Sequence, residues 1–120
     1  YPGKITAVRF TDKMAAYMRM ADVFVTKPGG LSTTEGAVLG VPMVHIMSIP
    51  GCETRNMRFF AQYGMSVPVK RIGMGLPAAA DRLLNRAEAE KVTENQRKYI
   101  NSAAAADICR LAEKLINNGL

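Results

Sequence analysis

The sequence predicts an α/β fold: a Rossmann-like parallel sheet with flanking helices, followed by a helical carboxyl terminus. Short apolar runs alternate with helix-period segments through the first part of the chain, which is typical of parallel strands covered on both faces. Two adjacent glycines, Gly29 and Gly30, join one such run directly to a helix. The β-type runs then stop, and only helical patterns follow. We therefore divide the predicted domain 1–120 into an α/β part, 1–75, and a helical part, 76–120.

Predicted strands and helices alternate in the first forty residues. Residues 5–10 are β-branched and short enough for a strand, and Asp12 after them is a suitable helix cap. The second helix is expected to stop near Gly40, because glycine readily takes the conformation that ends helices. In order, the elements predicted here are a strand over 5–10, a helix over 13–20, a strand over 23–26 and a helix over 33–39.

Pro42 helps to open the third predicted strand, and three helices follow the fourth. Gly64 is expected to end the helix that separates these two strands. The last helix carries an apolar stripe at helical spacing, which predicts that one of its faces is buried. The stripe consists of Ala104, Ile108, Leu111 and Leu115. The elements predicted here are strands over 43–47 and 65–69 around a helix over 53–63, then helices over 77–86, 88–100 and 102–117.

Composition and charge restrict the class of protein. Hydrophobic residues make up 48% of the 120 and charged residues 22%, which excludes global disorder, and no apolar run approaches the roughly 20 residues that cross a bilayer. Cys52 and Cys109 form no metal or redox motif, so a cytoplasmic setting is expected.

The net charge of +6 lies mainly in residues 1–75, with nine Lys/Arg against four Asp/Glu. A basic face there suits a phosphorylated ligand, an anionic membrane or nucleic acid, or serves only solubility.

Residues 22–35 make the most specific chemical prediction. An apolar run ends at Gly29 and Gly30, and hydroxyl side chains then begin a helix. Free N–H groups at a helix N-terminus bind anions, usually phosphates, and glycines permit positive φ and let a ligand approach the backbone closely. The structural alternative is a capping box, in which Ser32 caps the helix and Glu35 reaches back to it. Spacing alone leaves both interpretations open.

Two common nucleotide-binding patterns are missing from the sequence. The phosphate loop of kinases and ATPases places Gly-Lys-Ser/Thr after its glycines, whereas Lys27 precedes them here. The dinucleotide-binding pattern G-x-G-x-x-G is also missing. The sequence therefore disfavours ATP hydrolysis and NAD binding.

Several ordered motifs carry a family resemblance. They are Phe10-Thr11-Asp12-Lys13-Met14, the run from Met20 to Gly30, Glu35, Gly40-Val41-Pro42, and the loop from Ile49 to Asn56. Together they resemble the carboxyl-terminal half of two-domain (GT-B) nucleotide-sugar glycosyltransferases of the family 28 type. Within that group, the branch of monogalactosyldiacylglycerol synthases and processive diacylglycerol glucosyltransferases is the most similar, because its Pro-Gly-Gln-Glu-x-x-Asn loop resembles Pro50–Asn56. Cys52 stands where that loop usually has Gln, which puts one sugar contact in doubt.

The resemblance implies a site for a UDP-sugar, which is a substrate, and implies no metal or other cofactor. The diphosphate would lie on the glycine turn, at Gly29, Gly30, Ser32 and Thr33, and the ribose at the carboxylate of Glu35. The uracil would lie beside Phe10 and Thr11, at the turn after the first predicted strand. The sugar would lie at Glu53 and Asn56, in the loop after the third predicted strand.

The resemblance also implies that donor binding and catalysis depend on different domains of a longer enzyme. The chain begins with Tyr1, and we expect it to be the carboxyl-terminal piece of a hexosyltransferase acting on a lipid such as diacylglycerol. The catalytic base and the acceptor pocket would lie in the amino-terminal domain, so these 120 residues should contain no catalytic residue and should be inactive alone. The intact enzyme would be cytoplasmic and peripherally bound to an anionic membrane, with no nucleic-acid partner.

Two alternatives and one structural expectation accompany this interpretation. A nucleotide-sugar epimerase has the same architecture, and a non-catalytic donor-binding subunit of a split glycosyltransferase would have the same half. The family's carboxyl half begins with two further strands ahead of the one predicted over residues 5–10. We therefore expect strand exchange, a homodimer or an altered strand order to complete the sheet.

Overall fold

The computed structural model describes residues 3–119, in which helices flank a three-stranded parallel sheet. The strands are β1 (Phe24–Thr26), β2 (Met43–Ile46) and β3 (Val67–Val69). The helices are α1 (Met14–Met20), α2 (Gly30–Leu39), α3 (Cys52–Gln62), α4 (Ile72–Leu84), α5 (Arg86–Tyr99) and α6 (Ala104–Asn117). The predicted α/β class with a parallel sheet and a helical carboxyl-terminal part is therefore confirmed.

The sheet has the order β1-β2-β3, so the carboxyl ends of all three strands meet at one edge. His45 of β2 lies opposite Thr26 on one side and Pro68 on the other. The central strand is buried on both faces, because Val44 packs with α4 and α5 while Met43 packs with α2 and α3. The continuous apolar pattern of β2 follows from this burial on both sides.

The strand predicted over residues 5–10 is wrong. The segment forms no strand, and the side chains of Ile5 and Phe10 are 94% and 90% exposed. Branched side chains favour an extended backbone, but a strand also needs a neighbour for its N–H and C=O groups. The sheet within residues 3–119 contains only β1, β2 and β3, so this segment has no such neighbour.

The predicted burial of the α6 stripe is also wrong. The helix forms where its period predicts it, yet none of its described residues is buried. Ile108, Leu111 and Leu115 are 67%, 57% and 44% exposed, and Ala104 is exposed as well. An amphipathic period determines which residues share a face of a helix, whereas burial requires another surface to cover that face.

Several boundaries differ from the sequence-based predictions. Asp12 does not cap α1; the N-cap is Lys13, whose N–H donates to Thr11 Oγ1 at 2.9 Å. The end of α2 is as predicted, since Gly40 is its C-cap with φ 70°. Helix α3 ends at Gln62, one residue before its predicted end, and Gly64 follows the C-cap Tyr63 with φ 65°. Helix α4 begins at Ile72, ahead of the proposed division of the chain at residue 75, and that division stays a prediction.

Candidate functional site

The glycine turn between β1 and α2 lies at the carboxyl edge of the sheet. Gly29 is the N-cap of α2 with φ −70° and ψ 148°, and Gly30 is the first helical residue. The helix therefore starts three residues before its predicted start, and no side chain caps it. The capping-box interpretation is wrong, because Ser32 lies inside the first turn and the exposed Glu35 lies beyond it. Neither glycine takes the positive φ that glycine permits.

Three backbone N–H groups are free at the start of α2. The Gly29 N–H donates to Lys27 O at 2.8 Å, and the Thr33 N–H closes the first helical bond with Gly29 O at 3.2 Å. Between them, the N–H groups of Gly30, Leu31 and Ser32 have no acceptor among residues 3–119. The helix dipole favours negative charge at this position, and such N–H groups suit phosphate oxygens.

Space above the turn is open to a ligand. A Cβ built on Gly29 or Gly30 would meet no atom within 4 Å. The glycines are therefore not required by packing or by a left-handed backbone. Their effect is to leave the free N–H groups uncovered, which lets a bulky anion approach them closely.

A buried histidine supports the turn from inside the protein. The ring of His45 is fully buried, with Nδ1 2.9 Å from Ser66 Oγ and Nε2 3.4 Å from Thr33 Oγ1. Phe60 packs against it edge to face, with ring centroids 5.5 Å apart. Burial lowers the pKa of His45 from 6.5 to about 4, so the ring is neutral at pH 7. The Thr33 hydroxyl therefore contacts His45 inside the protein, and its side chain is only 1% exposed.

The loop after β2 contacts the glycine turn. Asn56 of α3 donates from Nδ2 to Pro28 O at 2.9 Å. Glu53, in the first turn of α3, accepts the Ile49 N–H at 2.7 Å through Oε2 and so holds its own loop. The structure thus brings the two sequence-predicted loops together, with Asn56 at their junction. Cys52 is the first residue of α3, and its free thiol is exposed.

The remaining predicted site residues line two adjoining cavities beside α1. Phe10 and Thr11 belong to a cavity of about 360 Å³, and Glu35 belongs to one of about 450 Å³ that also contains Asp12 and Thr34. Met14 lines both cavities, so they are neighbours. Residues 8–11, α1 and the exposed face of α2 therefore form one continuous surface.

Metal-binding clusters and membrane-spanning helices are both missing from residues 3–119. Residues 3–119 contain no group of three or more His, Cys, Asp or Glu side chains that could hold a metal ion. No helix in the same range combines the length and apolar character that crossing a bilayer requires.

The site thus consists of a strand, uncovered N–H groups at a helix start and a second loop that contacts the glycine turn. Residues 2–108 match the family model described as "Glycosyltransferase family 28 C-terminal domain". The chain belongs to this family. The family 28 resemblance predicted from the motifs is confirmed.

Relatives of this family 28 domain extend well beyond it. The "Processive diacylglycerol beta-glucosyltransferase" of Bacillus pumilus is 27% identical over 122 residues, covering 98% of this chain and 32% of the relative. The "UDP-N-acetylglucosamine--N-acetylmuramyl-(pentapeptide) pyrophosphoryl-undecaprenol N-acetylglucosamine transferase" of Ralstonia nicotianae is 30% identical over 116 residues, covering 90% and 32%. The chain therefore spans about a third of the length of these relatives.

A solved structure agrees with the family 28 assignment. The crystal structure of the "Glycotransferase of kitacinnamycin" matches with a TM-score of 0.61 and 27% identity. The match covers 80% of this chain and 26% of that one. The fold is thus that of a GT-B glycosyltransferase carboxyl-terminal domain, as the sequence predicts.

Three contacts of the site, in two groups, are not predictable from the motifs. One is the bond from Asn56 to Pro28 O, across 28 residues, and the other is the pair of contacts that His45 makes with Thr33 and Ser66. The only sequence feature that marks the second is a lone histidine inside an apolar strand run. Burial of such a polar ring requires hydrogen-bond partners, but the sequence does not identify them.

Proposed function

We propose that this chain is the donor-binding part of a UDP-sugar-dependent hexosyltransferase that acts on a lipid acceptor such as diacylglycerol. One observation carries the proposal: in a family 28 domain, the N–H groups of Gly30, Leu31 and Ser32 lie free and uncovered at the carboxyl edge of the sheet. The names of the relatives, a diacylglycerol glucosyltransferase and a UDP-N-acetylglucosamine transferase, support both the donor and the acceptor class.

In this proposal the free N–H groups bind the UDP diphosphate. Hydrogen bonds from fixed N–H donors to charged oxygens contribute about 1.5–3 kcal/mol each. They need no reorganisation when negative charge develops on the UDP leaving group, which is the basis of electrostatic preorganisation. Ser32 adds a hydroxyl beside them, while Thr33 contributes by holding the turn rather than by contact.

The cavities beside α1 would receive the nucleoside of the donor. The exposed Glu35 carboxylate would accept hydrogen bonds from the ribose hydroxyls, and the backbone near Phe10 and Thr11 would contact the uracil. Support comes from the adjoining cavities that these residues line. Glu53 and Asn56 would lie near the donor sugar, since Asn56 already contacts the turn. No metal is part of this proposal.

The rest of the reaction would require residues outside this chain. A catalytic base that activates the acceptor hydroxyl would come from the remaining two thirds of the enzyme. The 120 residues alone should therefore bind the donor without transferring sugar. We place the intact enzyme on the cytoplasmic side of a membrane, bound peripherally, where a lipid acceptor is accessible.

Calorimetric titration of the chain with UDP, ADP and GDP tests the proposal. UDP should bind about tenfold or more tightly than the two purine nucleotides, because the three ligands share a diphosphate and differ in the base. Equal affinities for all three would contradict a UDP-sugar site. In the intact enzyme, consumption of UDP-glucose should depend on added diacylglycerol; conversion without an acceptor would indicate an epimerase instead.

A further inference from the structure

We propose that His45 is a positioning residue that fixes the first turn of α2 through Thr33, and thereby orients the free N–H groups for an anion. His45 lies in the central strand, and its ring contacts the first turn of α2. Its two ring nitrogens lie within 3.4 Å of Thr33 Oγ1 and 2.9 Å of Ser66 Oγ. Those two hydroxyls belong to different elements, the first turn of α2 and the segment just before β3.

Thr33 is the residue through which this contact reaches the turn. Its N–H bonds to Gly29 O, so Thr33 closes the first hydrogen-bonded turn of α2. Its side chain is almost fully buried against His45, which fixes the rotation of that turn about the helix axis. The free N–H of Ser32 immediately precedes Thr33, and those of Gly30 and Leu31 lie within the same turn. Their direction therefore depends on the contact between Thr33 and His45.

The chemistry of the ring suits a fixed contact on both sides. A neutral imidazole has one donor and one acceptor nitrogen, and a hydroxyl can serve as partner to either. The depressed pKa of His45 keeps the ring in this neutral form at pH 7. Asn56 holds the other end of the turn through Pro28 O, so the turn is held at both of its ends.

A purely structural role for His45 would be to fill the core beside Phe60. Two conservative substitutions separate the roles. In His45→Gln the side-chain amide reaches the position of Nε2 and can keep the Thr33 contact. In His45→Asn the shorter amide reaches the position of Nδ1 and can keep only the Ser66 contact. Each variant loses one hydrogen bond, and the shorter Asn also leaves a larger cavity, so the two are compared at a temperature well below the unfolding transition of both.

The experiment measures UDP affinity by calorimetry and backbone ¹⁵N order parameters of Gly30, Leu31 and Ser32. His45→Asn should weaken UDP binding about tenfold and lower these order parameters. His45→Gln should stay within about threefold of the unsubstituted chain. Equal affinities and equal order parameters in the two variants would overturn the proposal.

Two controls keep the result interpretable. The affinity measurement rests on the proposed UDP site, whereas the order parameters do not; a chain that binds no UDP would refute the proposed function and still test the role of His45. If a His45 variant does not fold, Thr33→Val and Ser66→Ala replace the pair, because each removes one hydroxyl partner. Thr33→Val should lower the order parameters and Ser66→Ala should not, and the reverse result would overturn the proposal.

Discussion

At both edges of the sheet, side-chain amides donate to backbone carbonyls, but the surroundings of these hydrogen bonds differ. At the carboxyl edge, an asparagine amide holds Pro28 O, and beside it three N–H groups have no acceptor within residues 3–119. At the amino edge, Gln96 of α5 donates to Val41 O at 2.9 Å and to Met65 O at 3.0 Å. The neighbouring Asn95 donates to Gly64 O at 3.2 Å.

We interpret the amino edge as a surface that stabilises the fold and the carboxyl edge as the proposed ligand surface. Gln96 is fully buried, and its amide is used to tie α5 to the segments that enter β2 and β3. Asn56 instead fixes a turn whose own donors stay open to solvent. Buried amides at one edge should therefore govern unfolding, whereas free N–H groups at the other should govern binding.

The largest expected effect concerns the support beneath the carboxyl edge. The pKa of His45 is about 4 in the folded protein and 6.5 when unperturbed, so between these values the unfolded chain binds more protons. The contribution of neutral His45 to the free energy of unfolding is fully present above pH 6.5 and is lost as the pH falls toward 4. The loss is about 1.4 kcal/mol per pH unit and about 3 kcal/mol in total. Urea unfolding across this pH range measures the slope.

The matched control for this prediction is His45→Gln, which does not titrate in the window. The slope of stability against pH should be lower in the variant by about 1.4 kcal/mol per unit. Identical slopes in the two proteins would show that acid acts through other groups and not through the support of the turn.

The next largest effect is expected at the amino edge. Gln96→Leu leaves the carbonyls of Val41 and Met65 without their amide partner, but it also removes the buried Gln96 Oε1, which has no partner among residues 3–119, so the free energy of unfolding should fall by about 1–2 kcal/mol. UDP affinity, measured well below the unfolding transition, should not change. Asn95→Ala is the control, because it removes one half-buried bond and should cost about 1 kcal/mol. A fall in UDP affinity in proportion to stability would refute the independence of the edges.

A smaller effect distinguishes binding from capping at α2. Glu35 is exposed and lies outside the first turn, so Glu35→Ala should change stability by less than about 0.5 kcal/mol. Its affinity for UDP should fall, while its affinity for inorganic pyrophosphate should stay the same, since the proposed contact is with the ribose. Unchanged UDP affinity would remove Glu35 from the site. Thermal unfolding and calorimetry supply the two measurements.

Local patterns predicted the parts of this fold that depend on local chemistry. The apolar run of β2 and the helix end at Gly40 follow from side-chain type and glycine conformation alone. The start of α2 does not, since the helix begins at Gly30 rather than at a Ser32 cap. Thr33, in its first turn, is buried against a histidine twelve residues away, a contact that the local pattern does not encode.

Segments near the two ends of the chain show what a local pattern does not predict. Residues 5–10 and the α6 stripe carry correct local patterns for a strand and for an amphipathic helix. Whether such patterns become a paired strand or a buried face depends on a neighbouring surface, which a local pattern does not encode. For the site, the motifs predicted which two loops meet, while the bonds that join and support them depend on contacts 12 to 28 residues apart.

The central claim is that the free N–H groups of α2 bind the UDP diphosphate. A proline substitution at Gly30, compared with alanine at the same position, tests it. Gly30 is the first helical residue, where proline is favoured, and the extended backbone of Gly29 suits the residue before a proline. A Cβ at Gly30 meets no atom within 4 Å, and its N–H has no acceptor to lose among residues 3–119. Gly30→Pro and Gly30→Ala should therefore both fold with undiminished stability.

The two variants differ chiefly in one N–H group, so calorimetric titration of both with UDP isolates its contribution. We predict that Gly30→Pro binds UDP about tenfold or more weakly than Gly30→Ala, because it lacks one hydrogen bond to a charged oxygen. Equal affinity of the two folded variants for UDP, with Gly30→Ala still binding as the unsubstituted chain does, would contradict the account.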